Sequence, residues 1–154
     1  MKAEASANDY RWMELAIEES RRCLPSASAY SVGAVIVNSA GLELARGHSR
    51  EGDPHVHAEE SALAKLPAGG SLVAATIYST LEPCSRRASR PLTCTELIVR
   101  AGIGRVVIAW REPGLFVADC EGVELLTSAG VAVVELGDLA ERARAVNAHL
   151  WLGR

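Results

Sequence analysis

The sequence predicts a three-layer α/β/α sandwich built on a mixed five-stranded sheet, and three observations predict it. Two near-continuous apolar runs, SLVAATIYSTL (71–81) and RVVIAW (105–110), have the length and composition of strands buried on both faces. From residue 71 onward such runs alternate with helical patterns, which implies parallel pairing through right-handed crossovers. Ahead of them, two short runs separated by NSAG read as an antiparallel hairpin.

Each element follows in order. Residues 1–9 are small and polar and are expected to be a flexible N-terminus, leaving a single domain over 10–152. YRWMELAIEESRRCL places apolar residues between charges at helical spacing; Asn8 or Asp9 is the expected cap, and Pro25 lies beyond the end. SVGAVIVNS (31–39) and LELARGHS (42–49) form the hairpin. A helix over 57–66 turns Ala58, Ala62, Leu63 and Leu66 inward and stops at PAGG. The strand 71–81 follows, then a helix over 95–102 ended by Gly102, and the strand 105–110. A helix over 119–130, a strand over 131–136 and an amphipathic helix over 137–152 complete the chain.

Composition narrows the function. The chain has 154 residues, 49% of them hydrophobic, which is enough for a substantial core. A net charge of −3 gives no global basic face and disfavours nucleic acid as a partner. The charged N-terminal stretch lacks an apolar signal core, and no run reaches the roughly 18 apolar residues of a membrane helix. A cytoplasmic protein is therefore expected, with its four cysteines as thiols or ligands rather than disulfides.

The chemistry concentrates in two segments. HVHAEESAL (55–63) carries His57 and, two residues on, Glu59. LEPCSRRASRPLTC (81–94) follows the third strand and carries Cys84 and Cys94. Ligands in open α/β sheets bind beyond the carboxyl ends of the parallel strands, where Cys84 is expected to lie. One imidazole and two thiolates are a soft, tetrahedral three-ligand set suited to zinc, with a fourth position left for water. Zinc lowers the pKa of such a water to about 7 in favourable sites. Glu59 is then free to carry a proton rather than ligate. His55 also suits a metal, but only His57 has the glutamate at i+2; His55 is expected on the pocket wall or in a turn. Cys94, at a helix N-terminus, is the expected thiolate. Cys23 and Cys120 are expected to be structural. The segment EPGLFVAD (112–119) before Cys120 is placed over the pocket mouth.

H-x-E followed by P-C and a second cysteine is the zinc deaminase signature. On these residues the sequence resembles the cytidine-deaminase-like superfamily. HAE with STLEPC, the nine-residue spacer between Cys84 and Cys94, and LIVRAGIGRVVIAWREP resemble most the pyrimidine deaminase branch of riboflavin biosynthesis. The resemblance covers about residues 10–150. It implies Zn2+ on His57, Cys84 and Cys94, with Glu59 as proton shuttle. It also implies a hydrolytic reaction in which an exocyclic amine leaves as ammonia and a carbonyl remains, and assembly as a homodimer.

The implied substrate is a small aminopyrimidine nucleotide. The stretch from Ser79 to Glu82 and the SVGAVI strand are expected near the base. Arg86, Arg87 and Arg90 have no acidic neighbour within the spacer and are expected to clamp a phosphate. Arg50 and Asp53 are further candidates for the sugar or phosphate end. Two departures from the branch stand out: Ala29 and Tyr30 occupy the place of an Asn-Pro pair, and SRRASRPLT replaces a histidine-containing spacer. Cytidine or deoxycytidylate, a free base such as guanine or cytosine, and a catalytically silent zinc-binding interaction module stay open as alternatives.

Overall fold

The computed structural model describes residues 4–111 and 120–150. Five strands form one sheet in the order β2-β1-β3-β4-β5. They are β1 (Gly33–Val37), β2 (Glu43–His48), β3 (Thr76–Leu81), β4 (Arg105–Trp110) and β5 (Ala132–Glu135). β1 pairs antiparallel with both β2 and β3, while β3–β4 and β4–β5 are parallel. The hairpin turn is the expected one: Asn38 Oδ1 accepts from the amides of Ala40 and Leu42, and Gly41 takes φ 79°.

The helices are α1 (Ala7–Ser20), α2 (Ala58–Ala64), α3 (Cys94–Ala101), α4 (Gly122–Ser128) and α5 (Ala140–Ala145). α1 packs on β1 and β3, and α5 on β4. Tyr10 donates to Asp138 at 3.2 Å and Glu14 pairs with Arg142, so α1 and the α5 region share one layer. α2 packs on β2 and β1 and continues through α3 to α4 in the opposite layer. β1 is buried throughout, as are β3 and β4 beyond their first residues; this is why their sequences lack alternation.

Two glycines fix how close the layers come. A Cβ on Gly33 would lie 1.9 Å from the Ala16 carbonyl oxygen, and one on Gly47 would lie 2.6 Å from the Ala62 nitrogen. α1 and α2 therefore rest directly on strand backbone, which no larger residue permits.

Several boundaries differ from expectation. α1 begins at Ala7, within the segment expected to be flexible. Ser6 is its cap and Asp9 its N3 residue, the two forming a reciprocal capping box. Asp9 is 1% exposed, held by Tyr78 Oη at 2.7 Å and by two bonds from Arg105. The third strand starts only at Thr76, because Gly69 and Gly70 adopt positive φ and the Ala75 amide closes a turn onto Leu72 O. The closing helix is broken into 3-10 turns over Gly137–Leu139 and Ala148–Leu150 around α5. At the second break the buried Asn147 amide exchanges hydrogen bonds with the Ser31 backbone, in competition with the helix.

Candidate active site

The site forms where α2, the end of β3 and the start of α3 meet. His57 is the residue before α2, so its imidazole stands at the helix mouth. Cys84 lies three residues past β3, and its carbonyl accepts from the Thr95 amide and hydroxyl, drawing the spacer back to α3. Cys94 opens α3 behind a Thr93 cap whose hydroxyl accepts from the Glu96 amide.

His57 Nδ1 is 3.6 Å from Cys84 Sγ and 3.3 Å from Cys94 Sγ, and all three donor atoms lie within 4.8 Å of one another. Tetrahedral zinc, with Zn–S near 2.3 Å and Zn–N near 2.0 Å, demands N···S separations of about 3.5 Å. The donor set and its spacing therefore fit a zinc ion. The two thiols are unequal. The hydrogen bond from Cys94 drives the Cys84 thiol down, and His57 assists. That same bond, together with burial, pushes Cys94 up. The Cys94 amide, at the start of α3, donates to Cys84 Sγ at 3.2 Å.

Glu59 is 4% exposed, inside the first turn of α2. Its Oε1 accepts from Ser79 Oγ at 2.5 Å, and Ser79 Oγ is also 2.8 Å from Leu81 O. A cleft lined by Tyr30, Val32, Leu81 and Glu82 together with His55, His57, Glu59 and Cys84 includes this group in its wall. His55 thus stands on the pocket wall as expected. Tyr30 also lines the cleft and packs edge-on against Trp110, with ring centroids 5.4 Å apart, so the aromatic wall comes from Tyr30. Glu82 is buried, and its Oε2 accepts from the Val123 amide at 2.9 Å.

The arginines are placed differently from expectation. Arg87 and Arg90 do have acidic partners, brought from outside the spacer. Arg87 pairs with Glu60 at 3.2 Å and donates to His55 O at 2.7 Å; Arg90 pairs with Glu60 at 3.1 Å and with Asp53 at 2.6 Å. Asp53 is accordingly committed to Arg90 and to the His55 amide. Glu60 Oε1 also accepts from the His57 amide, and these bonds hold its carboxyl below the usual range against the opposing effect of burial. Arg86 is exposed. Arg50 lines the cleft, but its guanidinium is spent on Leu24 O, Tyr30 O and Ser31 Oγ. Those bonds hold it at φ 62°, a rare conformation for a side chain of this size.

Sequence reasoning missed Glu60, although its position three residues after His57 is capping-box spacing and could have revealed it. Cys120 Sγ rests on Pro83 O at 3.7 Å, beneath the Cys84 loop, while residues 112–119 lie outside the described residues. Cys23 packs against Val32 O at 3.6 Å. A second cluster, Glu19, His48 and Glu51, is an ion network rather than a metal site: Arg22, Arg46 and Lys65 already surround its carboxylates.

A mixed sheet with a His/Cys/Cys set and a buried glutamate at the ends of its parallel strands defines the class: a three-layer α/β protein with a metal-site pocket. The chain belongs to the family described as the cytidine and deoxycytidylate deaminase zinc-binding region, which matches residues 6–110. It is 44% identical over 131 residues to the diaminohydroxyphosphoribosylamino-pyrimidine deaminase of Schizosaccharomyces pombe, covering 83% of this chain and 32% of that protein. It is 40% identical over 117 residues to the riboflavin biosynthesis protein RibD of Aquifex aeolicus, covering 76% of this chain and 31% of that one. The chain thus spans about a third of the length of these curated relatives. Among solved structures it resembles a diaminohydroxyphosphoribosylaminopyrimidine deaminase/reductase from Thermotoga maritima. There the TM-score is 0.78 at 33% identity, over 90% of this chain and 39% of that one. The Aspergillus oryzae Rib2 deaminase shares the fold, with a TM-score of 0.77 at 22% identity over 90% of this chain and 89% of that one. No helix among the described residues is long and apolar enough to cross a membrane.

Proposed function

We propose that this chain is a zinc-dependent hydrolytic deaminase acting on an aminopyrimidine nucleotide of the kind handled in riboflavin synthesis. The observation that carries the reading is the convergence of His57, Cys84, Cys94 and the buried Glu59 on one cleft. The substrate class rests on the relatives, whose names are those of riboflavin-pathway deaminases.

In this reading His57, Cys84 and Cys94 hold the ion, and zinc supplies the Lewis acidity that brings water to a pKa of about 7. Glu59 moves the proton. Its Oε1 is engaged by Ser79, so Oε2 takes a proton from the attacking water and returns it to the leaving nitrogen. Water adds to the ring carbon that bears the exocyclic amine, the C–N bond breaks, and ammonia leaves a carbonyl behind. Tyr30 and Leu81 supply apolar walls for the flat ring, and burial at the cleft floor keeps bulk water from Glu59.

The test is ammonia release from a panel of diaminopyrimidine, cytosine, guanine and adenine compounds, each with and without ribosyl phosphate. The diaminopyrimidine ribosyl phosphate is expected to react fastest. Chelation should stop the reaction and added zinc restore it. Glu59→Gln should keep zinc and lose at least about a hundredfold in kcat, the scale of general acid–base catalysis. Silence across the whole panel would remove the enzyme reading in favour of a zinc-binding interaction module.

A further inference from the structure

The ligand set is drawn from two separate segments, and nothing covalent fixes their distance. His57 precedes α2, while Cys84 and Cys94 bound a nine-residue spacer. The spacer nonetheless returns to the His57 segment at three points. Arg87 reaches His55 O, two residues before the ligand, at 2.7 Å, and Glu60, three residues after it, at 3.2 Å. Arg90 reaches Glu60 at 3.1 Å and Asp53 at 2.6 Å. Glu60 is the hub, because the same Oε1 that accepts from Arg87 also accepts from the His57 amide at 3.2 Å.

We propose that Glu60 and Arg87, backed by Arg90 and Asp53, are positioning residues that hold His57 against the Cys84–Cys94 pair and set the ligand spacing before an ion binds. The inference rests on the zinc reading above, but not on the identity of the substrate. Arg87 has a side chain only 3% exposed, so its planar fork is locked by its partners rather than by solvent. Two guanidiniums face two carboxylates, so the group is charge-balanced within itself. A substrate phosphate would have to displace a carboxylate from each arginine, which argues for a clasp between segments rather than an anion site. Partners one shell removed from a metal orient the ligands, and their loss typically costs ten- to hundredfold in metal affinity.

The test uses the full chain, stripped of metal and titrated with Zn2+ in competition with a chromophoric chelator, and Co2+ as a spectroscopic probe of thiolate geometry. Glu60→Asp and Arg87→Lys keep both charges but shorten or reshape the reach. Each is expected to weaken Zn2+ binding by about ten- to hundredfold and to shift the Co2+ absorption bands. Their metal-free thermal midpoints should stay within a few degrees of wild type. Glu60→Gln/Arg87→Gln should lose less affinity than the sum of the two single variants, because the residues share one interaction while Arg87 also holds His55 O.

Affinities and Co2+ spectra that match wild type in both single variants overturn the proposal. So does a loss of affinity that merely tracks a fall in the metal-free midpoint with the spectrum unchanged, and so does failure of the charge-conserving variants to fold. Wild-type protein that binds no Zn2+ overturns the metal reading itself. A chain that binds Zn2+ yet releases no ammonia overturns only the deaminase reading and leaves the clasp standing.

Discussion

Ser79 Oγ lies 2.5 Å from Glu59 Oε1, and neither residue has more than 4% of its surface exposed. The bond ties one carboxylate oxygen to the floor of the cleft. Among the described residues the other oxygen, Oε2, has no hydrogen-bond partner. β3 supplies the serine two residues before its end, so the strand that leads to Cys84 also holds the Glu59 carboxylate.

Ser79→Ala is therefore expected to lower kcat by about tenfold while leaving KM within about twofold, since orientation of a general base acts on the chemical step. Bound zinc should be unchanged. Steady-state kinetics alongside metal analysis check this, and an unchanged kcat would show that Glu59 needs no help from Ser79.

Arg86 is the spacer arginine outside the clasp, exposed on the same loop. Arg86→Ala is expected to raise KM for a phosphorylated substrate by about tenfold, and for the matching nucleoside hardly at all, as loss of one charge-assisted contact to phosphate implies. Equal effects on the two substrates would take Arg86 out of phosphate recognition.

Asp9 contributes to the acid limb of stability, as does Glu51, whose carboxyl is also held at about 2. Burial alone would raise its pKa; bonds from Arg105, Tyr78 and Ser6 outweigh that and hold it at about 2, against 3.8 when unperturbed. A carboxylate depressed in the folded state contributes fully above its unfolded pKa and loses that contribution as pH falls through the folded value. The window is therefore about pH 4 down to 2, and the contribution at neutral pH is on the order of 2 kcal/mol. Asp9→Asn should lower the neutral-pH Tm and flatten its fall between those limits, as measured by thermal melts across pH.

Gly33→Ala tests the contact between α1 and β1. The added methyl would meet the Ala16 carbonyl oxygen at 1.9 Å and the Ser20 nitrogen at 2.7 Å, both of them backbone. Overpacking of this kind costs about 1–3 kcal/mol or more, equivalent to a Tm drop of roughly 2–12 °C in a chain this size. Gly41→Ala meets nothing within 4 Å. Its φ of 79° still carries strain, so it should cost less and serves as the comparison.

The strand Arg105–Trp110 was legible to the residue, because a continuous apolar run ending at a charge has one reading in an alternating chain. His57, Glu59, Cys84 and Cys94 were legible for a related reason: few other chemistries need those donors at that spacing. The apolar residues 71–75 misled, since Val73 is 70% exposed and its carbonyl lies against Gly104, where a Cβ would come within 2.0 Å. Hydrophobicity there reflects a close loop contact rather than a strand.

The mixed sheet and the segments that bring His57, Glu59, Cys84 and Cys94 together could be read from local periodicity and from a motif that travels whole. The partners of the arginines could not be read that way. Arg87 meets Glu60 across 27 positions and Arg90 meets Asp53 across 37, and a guanidinium accepts a carboxylate or a phosphate equally well. Which one it finds depends on the segment that docks beside it. Here the docking of α2 against the spacer brought the carboxylates of Glu60 and Asp53 to Arg87 and Arg90.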